Sequence, residues 1–126
     1  ILTEASFFRP AAVAVDYRGA VYVADAGNHV IRIVEGLGEA GLLAGEPGAS
    51  GMINGLGNGA RFNNPADLVY SDLFENGGVI FVADRDNNQV RKVSMDGRVE
   101  SYPDIDGSPF FFNSPEGLAI DDQGNL

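Results

Sequence analysis

Few side chains in this sequence are equipped for chemistry. His29 is the only histidine and there is no cysteine. Thiolate nucleophiles, cysteine-based zinc sites and multi-histidine metal centres are therefore excluded within the chain. His29 sits between Asn28 and an apolar run, where turn packing is its expected role. Carboxylates are more numerous, with pairs at Asp121-Asp122 and at Asp104/Asp106. The stretch Asp104-Ile105-Asp106-Gly107-Ser108 begins like a calcium loop, yet calcium wants about six to eight oxygens, often with a bidentate Glu closing the loop. Pro115 stands where that Glu belongs, and Glu116 follows one place later. A solvated turn is expected there, with calcium near Asp104 and Asp106 as the one cofactor the residues admit. The Gly-rich stretch 45–59 has no Lys and no helix pattern after it, so it reads as a wrapped connection and not a phosphate loop.

Composition narrows the partners. Against 18 acidic side chains stand 8 basic ones, a formal charge of −10, and phosphate backbones are bound chiefly by Lys and Arg. Nucleic acid and anionic membrane surfaces are disfavoured, and no apolar run nears the ~20 residues of a spanning helix. With 44% apolar residues the chain can build a core. Its 17 Gly and 6 Pro interrupt nearly every helical window, so an all-β fold is expected.

Internal repetition is the strongest signal. Phe8-Arg9-Pro10-Ala11-Ala12-Val13-Ala14-Val15-Asp16 returns around Pro65 and again around Pro115, at offsets of 55 and 50 residues. A second block, VADAGNHVIR at 23–32, matches VADRDNNQVR at 82–91 with Asp, Asn and Arg in the same places. Short β-type runs are expected at 13–16, 21–24, 30–34 and 42–44, then at 68–70, 79–83, 90–93 and 99–102, with a last one at 118–120. Between them lie turn residues: Asp16 to Gly19 and Asp121 to Gly124 suit a type I turn followed by a Gly at positive φ. Asp25 and Asn28, like Asp84 and Asn87, are read as turn caps whose carboxylates accept turn N–H bonds. Their recurrence favours a structural role, since a catalytic constellation need not recur.

A Pro before a V-A-V-D strand, followed by Y/F-V-A-D-x-x-N-x-x-I/V-R, resembles the NHL repeat, and the resemblance extends over essentially the whole chain. It implies β-propeller blades of four antiparallel strands. The expected partition is a connection at 1–9, a first blade at 10–45, a connection at 46–64, a second blade at 65–103, and a connection with the start of a third blade at 104–126. The family's closed rings hold about six blades, so a partial propeller is expected. Its open faces would meet protein, either further blades of the same chain or further copies. The Ile1-Leu2-Thr3-Glu4 start carries no signal-peptide pattern, and a processed or truncated chain is expected. The long connection is similar to those of bacterial and extracellular members, which implies an extracellular or surface location.

Strand alternation places the a–b and c–d turns on one face and the b–c turns and d-to-a connections on the other. Leu73 and Phe74 fall in an enlarged a–b loop at 71–78, while Met52, Ile53, Phe110 and Phe111 fall in the connections. These six are the expected partner-binding residues. A non-catalytic scaffold for protein–protein interaction or assembly is the expected function. The resemblance also admits a lyase or lactonase type propeller enzyme whose metal ligands lie mostly in other blades, and RNA binding, which the charge opposes.

Overall fold

β-branched runs separated by Gly, Asn and Asp fold here into two antiparallel meanders. The computed structural model describes residues 6–36, 38–74 and 77–126. The first blade orders β1 (Pro10–Val15), β2 (Val21–Asp25), β3 (Val30–Glu35) and β4 (Glu39–Ala44) side by side. In the second, a two-residue strand β5 (Gly55–Leu56) joins the outer edge of a meander of β6 (Pro65–Ser71), β7 (Val79–Asp84), β8 (Gln89–Ser94) and β9 (Arg98–Tyr102). A small hairpin of β10 (Asp104–Ile105) and β11 (Ser108–Pro109) follows. The all-β, four-stranded blade architecture expected from the repeats is present, as part of a β-propeller.

Several boundaries differ from expectation. β1 and β6 begin at their prolines, a position that strands tolerate because the missing N–H falls at an edge. β4 starts at Glu39, ahead of 42–44, because pairing with β3 carries weak formers such as Ala40 and Gly41 into the ladder. The run 118–120 is not a strand, since it pairs with no neighbouring strand among the described residues. Leu118 and Ile120 are nonetheless laid against the second blade.

The expected turns form. Gly19 (φ 90°) and Gly124 (φ 86°) take the left-handed conformation, and each donates its N–H back to the Asp three residues earlier. The Asp104–Ser108 segment closes as a tight hairpin with Asp106 at φ 54° and Gly107 at φ 79°, the signs that a type I′ turn requires. Glu116 lies 3.5 Å from Arg85 Nε.

The two blades stack face to face. On the forward face of the first, Ala12, Ala14, Tyr22, Ala24 and Ile31 meet Leu68, Ile80, Val82 and Val93 from the rear face of the second. Small side chains on β1 leave room for Leu68 and for Tyr70, whose ring lies parallel to that of Tyr22 at 6.4 Å. The forward face of the second blade carries Val79, Phe81 and Val90, on which Leu118 and Ile120 pack. Repeat equivalence pairs Val13 and Val15 with Leu68 and Tyr70, so they belong to the rear face of the first blade, where Val13 is 63% exposed.

That equivalence yields an asymmetric expectation. Leu68→Ala should cost about 2–5 kcal/mol of unfolding free energy by opening a cavity between blades. Val13→Ala, at the matching but open position, should change it by less than about 0.5 kcal/mol. Urea unfolding followed by circular dichroism measures both, and equal losses would refute the pairing of faces.

Candidate functional site

Each b–c corner is organised by a buried carboxylate. Asp25 Oδ1 accepts the Phe8 N–H at 2.7 Å, and its Oδ2 accepts from Asn28 Nδ2 and Arg32 Nε, both at 2.9 Å. Asp84 repeats the arrangement with Asn63 N–H at 2.8 Å, Asn87 Nδ2 at 2.7 Å and Arg91 NH1 at 2.6 Å. Both aspartates are fully buried. They stand at the N-cap of a short 3-10 turn but make no capping bond to it. The expected acceptance of turn N–H groups is thus corrected. These carboxylates clamp the connection that enters their own blade, because a buried charge needs several donors and the corner turns its own N–H groups elsewhere.

The clamp is heavier in the second blade. Arg91, wholly buried, also donates to the Arg61 and Ile53 carbonyls and to Asn54 Oδ1, at 2.9, 3.0 and 2.9 Å. Its guanidinium lies 5.1 Å from the centre of the buried Phe62 ring. Arg32 has the same relation to Phe7 at 5.9 Å. Burial pushes the Asp84 carboxyl up from its ordinary value, against the pull of the Asn63 N–H and of Arg91 and Asn87.

The residue after each corner reaches forward. His29 (φ 61°) and Asn88 (φ 57°) are left-handed. The Asn64 N–H donates to His29 Nδ1, and the Ser114 N–H donates to Asn88 Oδ1, each at 2.9 Å. His29 therefore ties its blade to the connection entering the next, which refines its expected turn-packing role. Sequence reading missed this link; its signal was the repeated place before β3 and β8 shared by His29 and Asn88.

At the opposite face, Asp16 closes the β1–β2 turn. It accepts from the Arg18 and Ala20 N–H groups, from Arg18 NH2 and from the Tyr22 hydroxyl. Burial opposes its ionisation, but these bonds outweigh it and hold the carboxyl below its ordinary value. The Tyr22 hydroxyl is pushed up to about 12 by burial and by its bond to Asp16. Asp121 repeats the turn with the Gln123 and Asn125 N–H groups. Ser71 takes the equivalent place in the second blade, accepting the Leu73 N–H at 3.2 Å.

The six expected partner-binding residues do not form one patch. Phe74 folds back, with its ring edge-on to Phe81 at 5.1 Å and near Tyr102 at 6.4 Å. Leu73 remains 52% exposed and lines a groove of ≈ 440 Å³ with Tyr70, Ser71, Asp72, Ile120 and the Asp121-Asp122 pair. On the other face Met52 and Ile53 expose their side chains, while the flanking backbone is held by Asn87 at Gly51 and by Arg91 at Ile53. Phe110 and Phe111 are about as exposed, and Phe110 leans on Phe112 at 4.9 Å. Among the described residues no three His, Cys, Asp or Glu side chains converge to hold a metal. No helix among them is long and apolar enough to cross a membrane.

Two outcomes follow from the clamps. Arg91→Met leaves Asp84 buried and unpaired and should cost about 3–5 kcal/mol. Arg32→Met should cost clearly less, because among the described residues Arg32 makes one bond where Arg91 makes four. Denaturant midpoints of the two variants check the ranking. Asp16→Asn should lose about 1–3 kcal/mol at neutral pH by disrupting a buried network. Since the folded value lies below the ordinary one, the ionised form's contribution is complete above the unfolded value and disappears as pH falls through the folded one. The deficit of Asp16→Asn should therefore shrink in acid below about pH 4, as thermal unfolding at neutral and acid pH would reveal.

Comparison with known proteins agrees with the geometry. No family model matches the chain. NHL repeat-containing protein 2 of Bos taurus is 34% identical over 85 residues, and that of Gallus gallus 32%. Each match takes in 67% of this chain, which spans only 11% of the relative's length. Among solved structures, auxiliary nutrient binding proteins from Bacteroides thetaiotaomicron and Bacteroides ovatus superpose with TM-scores of 0.74 and 0.73 at 19% and 22% identity. A putative phosphatase from Bacteroides thetaiotaomicron gives 0.72 at 23%. All three cover 88% of this chain, which spans 30–32% of theirs, and at such identity they share the fold alone. With the repeated Asp–Asn–Arg clamps and the stacked meanders, the chain belongs to the NHL-repeat family and forms part of a β-propeller.

Proposed function

We propose that this region is a non-catalytic propeller scaffold that presents its loops to another protein or serves assembly within a larger one. One observation carries the reading: the groups that look chemical are consumed by the fold. Among the described residues the buried charged side chains are Asp16, Asp25, Asp84 and Arg91. Each is engaged in a turn or an entry clamp. Large apolar side chains are exposed as well: Phe7, Phe8, Val13, Val15 and Tyr17 in and beside the first blade, and Met52, Ile53 and Leu73 on loops. Such surface is what further blades, further copies or a partner protein would cover. The charge of −10 favours protein over nucleic acid as partner.

The competing reading is a propeller enzyme that holds a metal. Elemental analysis of the whole protein, joined to assays of lactone and ester turnover, separates the two. Less than one metal ion per chain and no turnover is the expected result. A stoichiometric metal whose removal abolishes turnover would sink the scaffold reading.

A further inference from the structure

We infer that the joint between the first blade and the connection entering the second is a pH-sensitive latch, closed while His29 is neutral and released when it gains a proton. The latch lies between two described blades and does not depend on what the loops bind.

The geometry fixes the protonation state of the closed form. The Asn64 N–H donates to His29 Nδ1 at 2.9 Å, across 35 residues of sequence. A backbone N–H can only donate, so Nδ1 carries the lone pair and Nε2 the proton. Protonation puts a second donor where the acceptor was, and two N–H groups then face each other. A shift of backbone cannot rebuild the contact, because both partners are left-handed and anchored. His29 stands at φ 61° and gives its own N–H to the Ala26 carbonyl at 3.2 Å, while Asn64 stands at φ 59°. The neighbouring Asn63 N–H is held by Asp84 at 2.8 Å. Imidazole is the side chain whose ordinary titration falls between about pH 5 and 8, and the chain has a single histidine.

The second blade supplies an internal comparison. Asn88 takes the same left-handed place there, and its Oδ1 accepts the Ser114 N–H at 2.9 Å. An amide oxygen keeps its lone pairs throughout this range, so the second joint stays latched where the first opens. Two further bonds at the first joint are also insensitive, Gly48 N–H to the Asn28 carbonyl and Asp86 N–H to the Asn63 carbonyl, both at 3.0 Å. Acid thus slackens the seam at one contact and leaves the blades folded.

The charged groups on the surrounding segments are engaged elsewhere. Asp25 and Asp84 are taken up by their clamps. Asp86 accepts from Asn64 Nδ2 at 3.3 Å, and Arg85 lies 3.5 Å from Glu116. Arg9 lies over the Phe8 ring, and Arg61 donates to the Asn58 and Ala60 carbonyls. Glu46 follows the fourth strand of the first blade. None of them pairs with the imidazole among the described residues.

The test is hydrogen exchange on the whole protein, read residue by residue by mass spectrometry at about pH 7.5 and about pH 5 and corrected for intrinsic exchange rates. Asn64 should lose about fivefold of its protection in acid, the worth of one net hydrogen bond, while Ser114 keeps its own. In His29→Asn, which copies the second blade, Asn64 should be protected equally at both values. Asp86→Asn and Glu46→Gln should respond as the unaltered protein does. Four results overturn the latch: an unprotected Asn64 at the higher pH, equal protection at both values in the unaltered protein, a response abolished in Asp86→Asn or Glu46→Gln, or an acid loss that persists in His29→Asn. The last would place the titrating group at Asp84, whose carboxyl burial pushes up.

Discussion

A carboxylate with no access to water, placed at the corner between the second and third strands of a blade, is the constraint on which the rest depends. Buried away from water, it must find donors, and the backbone N–H groups of the corner provide none. The donors come from three directions: an Asn within the turn, an Arg on the next strand, and a backbone N–H of the incoming connection. Satisfying the charge therefore fixes the path of a segment otherwise free of regular structure. The residue before each proline is left-handed in all three repeats, at Arg9, Asn64 and Ser114. That conformation turns the connection into the strand that opens the blade. One buried group thus sets where the strand begins and how the blades succeed one another.

Much of this was written in the residues. The blade-forming runs, the Asp–Gly turns and the recurrence of Asp25, Asn28 and Arg32 as Asp84, Asn87 and Arg91 were legible because they depend on local periodicity and repetition. The clamp's true partners were not, since the Asp25 bond spans 17 residues and reaches a backbone N–H that carries no side-chain signature. For the same reason β5 was invisible: Gly55 and Leu56 have no strand pattern and pair only because β9 offers an open edge. Leu73 and Phe74 looked alike in sequence, yet packing separated them. Phe74 reaches the aromatic pair Phe81–Tyr102, whereas Leu73 faces the groove.

The blades share a plan and depart from it in one informative place. Aspartate at the first turn is self-sufficient, its oxygens occupied by its own loop. Serine at the same place in the second blade accompanies an enlarged loop, with one accepted bond and no saturated carboxylate. Grooves lie beside both turns, one of ≈ 440 Å³ at Ser71 and Leu73 and one of ≈ 280 Å³ between Arg18 and Glu35. The asymmetry arises from a local change of residue and loop length, and it adds the Phe74 ring to the aromatic pair Phe81–Tyr102.

The forward reach of His29 and Asn88 has a consequence for how such repeats can be exchanged. Every blade grips two connections, its own through the buried Asp and its successor's through the left-handed residue after the corner. A unit cut at a proline would sever the inner grip. A unit cut just after the fourth strand keeps each connection with the blade it feeds and gives up the forward bonds, those of His29 and Asn88 together with Gly48 N–H to the Asn28 carbonyl. The first kind asks for nothing more specific than a side-chain acceptor in a left-handed position, which histidine and asparagine both supply. A joint of this kind tolerates exchange at the connection, so the apolar faces that stack between blades are left to decide which blades can follow one another.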